Sequence, residues 1–149
     1  MDLSSLEPGV PEEHHAWNDE EYAGRIVVHI GRAGSLYLDA GGDGAAPNEE
    51  VQRLLTDALV LAIEWAARRQ WPLADDFNLR LDWGAHSFLY LVLRAGEAIS
   101  ATHWAAVNSN PARAMEQLNF SIGCLIDYSR WRGWSVDEAA ARAIAARHR

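Results

Sequence analysis

The residues with chemical potential are few and scattered. Asp39, Glu49, Glu50 and Asp82 form one carboxylate set: Asp39 closes a segment that reads as a strand, the two Glu open a helix, and Asp82 lies near the end of another strand-like run. Carboxylates spaced across elements in this way are what a metal-dependent hydrolase or nuclease would use to hold two divalent ions. His14 and His15, among Glu12, Glu13, Asp19, Glu20 and Glu21, offer a second potential chelate. Adjacent side chains on a helix diverge by about 100°, however, and ligands must converge. His29 and His103 fall in strand-like runs and read as hydrogen-bonded structural residues. Cys124 lies mid-helix among apolar neighbours, where burial raises a thiol pKa and removes its reactivity. None of the sequence motifs for dinucleotide, nucleotide phosphate, zinc-protease or serine-hydrolase chemistry occurs. The expectation is no catalytic residue, no metal and no cofactor, with the Asp39, Glu49, Glu50 and Asp82 set as the alternative.

Charge narrows the partners. Thirteen basic residues face 21 acidic ones, a net charge of −8, and every basic residue is Arg. A lysine nucleophile or Schiff base is therefore excluded. A net acidic chain is poorly suited to a phosphate backbone, so no nucleic acid partner is expected. No apolar run approaches the roughly 20 residues of a bilayer span, so no membrane partner is expected either. The acids concentrate before residue 65, with Arg25, Arg32 and Arg53 the only cations there, whereas Arg130, Arg132, Arg142, Arg147 and Arg149 make the end basic. With a single cysteine and no signal-like start, the expected setting is the cytoplasm.

The elements that would position these residues read as a mixed fold. Residues 1–11, with two Pro and a Gly, form a flexible arm, and residues 12–149 one α+β domain. Residues 12–22 make a short helix. The β-branched run at 25–30 and the segment 35–39 read as a hairpin about the turn 31–34. Residues 48–70 are the clearest helix. Asn48 caps it, and Arg53 and Asp57, like Glu64 and Arg68, stand four apart on its polar side. Its apolar residues cover about 200°, more than a sheet face requires. Phe77, Leu79, Leu81 and Trp83 alternate with polar residues as an edge strand would. Residues 87–94 are apolar on both faces, as a central strand would be, and 98–104 gives a possible fifth strand. Asn110-Pro111 opens a helix that stops at Gly133, and Gly123 marks a close crossing in it. Ser135 and Glu138 form a capping box for a last helix. The predicted order is (α)-ββ-α-ββ(β)-α-α, an antiparallel sheet of four to five strands with helices packed on it.

The stretch Ile63-Glu64-Trp65-Ala66-Ala67-Arg68-Arg69-Gln70-Trp71-Pro72, between two strand pairs, resembles YbjN-like proteins. That family is similar in fold to the type III secretion chaperones. The resemblance spans about residues 25–132, implies a hairpin–helix–hairpin–helix core, and supplies no catalytic residues. Together with seven Trp and two apolar stripes on the later long helix, it implies a non-enzymatic, chaperone-like or adaptor module acting as a homodimer and binding another protein or peptide segment. Leu54, Leu61 and Trp65 on one helix, and Phe120, Tyr128 and Trp131 on the other, are the expected partner-binding or dimer residues. Alternatives are the metal-dependent hydrolase above, and an immunity- or antitoxin-type inhibitor using the acidic half.

Overall fold

A computed structural model describes residues 2–42, 49–77, 79, 81–85 and 88–148. Five α-helices carry the fold: α1 (Asp19–Asp39), α2 (Glu49–Arg69), α3 (Phe88–Val107), α4 (Pro111–Trp131) and α5 (Val136–Ala146). No β-strand occurs among the described residues, so the expected α+β sheet is replaced by a helical bundle. Helix α1 packs on α2 and α3, α4 packs on α3 and α2, and α5 lies against α2 and α4. The first four helices thus close a ring.

The first predicted hairpin is a single helix because its apolar residues also satisfy the helical period. Ile26, Ile30, Ala33 and Tyr37 are buried at spacings of three and four. Asn18 caps α1, its side-chain oxygen accepting from the Glu21 amide at 3.0 Å, and Asp19, Glu20 and Glu21 occupy the first turn. The expected turn at 31–34 contains Gly34, whose role is packing. A Cβ there would sit 3.1 Å from a Val92 methyl of α3, so the missing side chain lets the two helices meet.

Residues 88–107 form one helix rather than two strands and a turn. Phe88, Leu91, Ala95, Ile99, Thr102 and Ala105 face the core at helical spacing. Leu89, Leu93 and Trp104 are apolar too but face outward, which made both faces look buried. The alternating run 77–83 does turn Phe77 and Trp83 inward, yet it has no strand partner. It is an irregular link ending in a 3₁₀ turn at Trp83–Ala85. Trp83 Nε1 donates to Asp127 of α4 at 2.8 Å, and Asn119 of α4 holds the link near its start by donating to the Pro72 carbonyl and accepting from the Ala74 amide. Gly123 does mark a close crossing, made by Leu79 of this link, whose side-chain carbons would lie 3.1–3.2 Å from an added Cβ. Asn48 and positions 78, 80, 86 and 87 of these predicted segments lie outside the described residues.

Helix α2 runs through the centre. Its broad apolar arc is covered within the chain by α1, α4 and α5. In α4, Asn110 caps through the Arg113 amide at 3.2 Å and Pro111 opens the helix, as the sequence implies. Gly133, at φ +76°, follows its end. Ser135 makes no side-chain cap, so the predicted capping box is not formed. The segment read as a flexible arm is held to the bundle at Leu3 and Gly9. Leu3 is buried, and the Gly9 carbonyl accepts from Arg147 at 2.8 Å. Residues 12–22 comprise a 3₁₀ turn at Glu12–His14 and the first turn of α1.

Candidate functional site: a buried carboxylate cluster and an open helix face

Glu64 is the one fully buried acid among the described residues, at 0% exposure in the middle of the bundle. Helix α2 presents it to three donors from three parts of the chain. His14 Nδ1 lies 3.0 Å from Oε2, Arg147 Nη1 donates to Oε1 at 2.7 Å, and the Tyr22 hydroxyl donates to Oε2. The expected Glu64–Arg68 pair is not made. Arg68 instead donates to the His14 carbonyl at 2.7 Å, the His15 carbonyl at 3.1 Å and the Tyr22 hydroxyl at 3.2 Å. A carboxylate with no water access needs such donors, since an unpaired buried charge is strongly destabilising. The cluster therefore ties the N-terminal segment, α1, α2 and the end of α5 into one body. Trp65, next in sequence, donates its Nε1 to Asp19 of α1 at 2.9 Å.

Beside the cluster lies an open cleft of about 400 Å³ between α1, α2 and α5, lined by His14, Trp17, His29, Asp57, Val60 and Arg147 among others. His14 stacks on Trp17 with ring centroids 3.6 Å apart, and the Arg25 guanidinium covers the same indole. Burial holds His29 below the usual histidine range, against the pull of Asp57, so its ring favours the neutral form. Asp57 is engaged by Arg53 at 3.0 Å, the i,i+4 pair read from the sequence. The cleft thus combines an aromatic wall, a neutral imidazole and cations already committed to carboxylates.

Burial pushes the Tyr22 phenol up to about 12, with Glu64 adding to the effect and Arg68 opposing it. An unfolded tyrosine ionises near pH 10. Between about pH 10 and 12 the unfolded chain releases a proton that the folded chain keeps, so stability falls as pH rises through that window. Tyr22→Phe is expected to flatten this fall, read as the change in urea midpoint between pH 9 and 11. An equally steep fall in the variant would remove Tyr22 as its source.

The six predicted interface residues separate. Leu54, Leu61, Trp65 and Tyr128 are buried within the chain, each 7% exposed or less. The core thus already covers four of the residues chosen as a dimer surface. Phe120 is partly buried beneath the Arg94 guanidinium, and only Trp131 is open, at 52%. The alternative carboxylate set is not assembled: among the described residues no three or more His, Cys, Asp or Glu come together where they could hold a metal ion. Asp39 ends α1, Glu49 and Glu50 open α2, Glu50 is bound to Arg53, and Asp82 precedes the 3₁₀ turn. Cys124 is buried, and burial pushes its thiol up to about 12, as its apolar surroundings imply.

The sequence reading missed the outer face of the α1–α3 pair. The helices run antiparallel, with Tyr37 of α1 meeting Phe88 of α3 and Gly34 meeting Val92. Val27, Val28 and Leu38 of α1 and Leu89, Leu93, Trp104 and Val107 of α3 are exposed, Trp104 at 71% and Leu93 at 55%. These seven are all but one of the large hydrophobic residues exposed on the described chain. On α3 the spacing 89, 93, 96, 100, 104, 107 takes in all four, and on α1 the spacing 24, 28, 31, 35, 38 takes in Val28 and Leu38, with Gly24, Gly31 and Ser35 as its small positions and Val27 beside it. Each is a helical stripe pointing away from the core. The signal was present as an apolar period left over after the core stripe is assigned. Among the described residues no helix is long and apolar enough to cross a membrane. The chain matches no protein-family model, no curated protein and no solved structure.

Proposed function

We propose that the protein is a non-enzymatic protein-binding module that works through the outer face of α1 and α3. One observation carries this reading: the exposed large apolar residues gather on that face instead of scattering. Single exposed apolar side chains are ordinary, but a contiguous patch marks an interaction surface. Leu93 and Trp104 lie at 55% and 71% exposure, and no described part of the chain covers them. The buried Glu64 cluster supports the same reading by holding α1 rigidly to α2, since a preformed surface loses less entropy on binding. With no strand edge described, the partner element would be a helix laid along the face, using anchors at i, i+3, i+4 and i+7. A lone, buried, protonated cysteine fits a reducing compartment, and we place the module in the cytoplasm.

The test compares recoveries from native lysate with wild-type protein and with Val28→Glu/Leu93→Glu as bait. Both positions are exposed, so the variant should keep its helical circular dichroism and a cooperative melt. Partners retained by the wild type should be lost from the variant. Identical recoveries would count against this face.

A further inference from the structure

We infer that the occupant of the α1–α3 face is a second copy of this chain, docked with its α3 antiparallel across the first. This rests on the reading of that face as the working surface. Three features of the face select a copy of itself.

The first is charge. The chain carries −8, so two copies repel unless they meet where the acids are not. Between Phe88 and Val107, α3 holds one Arg and one Glu, Arg94 and Glu97, and between Tyr22 and Leu38, α1 holds Arg25 and Arg32 with no acid. The remaining acids of α1 lie at its ends, Asp19, Glu20 and Glu21 in the first turn and Asp39 at the last residue, so the middle of the face holds one acid, Glu97.

The second is shape. Gly96 lies mid-helix, and a Cβ built there meets nothing within 4 Å, as also at Gly24 and Gly31 of α1. Glycine inside a helix costs roughly 0.5–1 kcal/mol relative to alanine. No described residue uses the space these three leave. About a two-fold axis beside Gly96, Leu93 falls opposite Ser100 and Leu89 opposite Trp104. Large residues then face small ones at the centre, and apolar ones face each other toward the ends. An isologous contact needs this self-complementarity.

The third is area. Helices of about 20 residues are about 30 Å long, and two side by side present a face about 20 Å wide. Apposing two such faces covers about 1,200 Å² in total, at the lower bound of stable specific interfaces.

Sedimentation velocity at micromolar concentration tests this, with Gly96→Arg and Leu93→Glu as variants and a fluorescent apolar dye as a probe of the free face. Arginine at 96 has open space in the single chain, so that variant should keep its helical circular dichroism and a cooperative melt. The expected result is a wild-type mass of twice 16.5 kDa, and 16.5 kDa for both variants. A wild-type dimer that both variants retain would overturn the proposed surface. A wild-type mass of 16.5 kDa with dye binding that Leu93→Glu abolishes would overturn self-association and leave the face open to a foreign helix. A monomer that binds no dye would overturn both this inference and the functional reading.

Discussion

Glu64→Ala is expected to destabilise the protein by about 3–5 kcal/mol, the usual cost of breaking a buried ion pair by removing one partner. Alanine leaves three donors without their acceptor: His14, the Tyr22 hydroxyl and Arg147. The Tyr22 and His14 groups have little water to turn to, since Tyr22 is 2% exposed and the His14 side chain 14%. Arg147 is more open and retains its bond to the Gly9 carbonyl. Glu64→Gln should cost less, because an amide oxygen still accepts although the charge is gone. Chemical denaturation measures the size of the effect. Limited proteolysis supplies its signature, because the N-terminal segment is held through His14 and should be cut faster in Glu64→Ala. A loss below 1 kcal/mol, or unchanged proteolysis, would show that the cluster does not tie the chain together.

What the sequence makes legible follows from which periods were unique. Asn110-Pro111 and Gly133 delimit α4 because capping, the proline and the left-handed glycine have few alternatives. The helix from Glu49 to Arg69 is plain because its apolar positions fit no two-residue period. The runs at 25–39 and 87–104 are ambiguous in a physical sense. Each carries a core stripe at helical spacing and a second apolar stripe on the outer face. The sum of two helical stripes is a nearly continuous apolar run, which also describes a buried strand. Glycines at 31, 34 and 96 strengthened the misreading, since glycine between apolar runs signals a turn. In the structure Gly34 admits Val92, and Gly31 and Gly96 lie on the open face. The candidate site was hidden for the same reason. Leu93 reads as part of a central strand and Trp104 as part of a possible further strand, while Glu64 reads as part of the helix's polar side because Arg68 stands four residues on. Its apolar neighbours Ile63 and Trp65 were the available sign that α2 is buried on that side too.

Helix α2 also supports a prediction that separates a bundle centre from a helix lying on a single layer. Leu54 and Ile63 are nine residues apart, which at about 100° per residue puts them on opposite sides of the helix. They are 3% and 1% exposed. A helix resting on a sheet buries one side, so an aspartate on the far side would reach water and cost little. Here α1, α4 and α5 surround α2 and neither position offers solvent. Leu54→Asp and Ile63→Asp should each place an unpaired carboxylate in the core and cost several kcal/mol. Such a loss is comparable to the whole stability of many domains, about 5–15 kcal/mol. Each variant should therefore melt far below the wild type or lose its cooperative transition, as followed by circular dichroism at 222 nm. Leu93→Asp, on the open face of α3, is the matched control and should change the melting temperature of the monomer little. If Leu54→Asp melts like this control while Ile63→Asp unfolds, α2 has one buried side and the chain does not close around it.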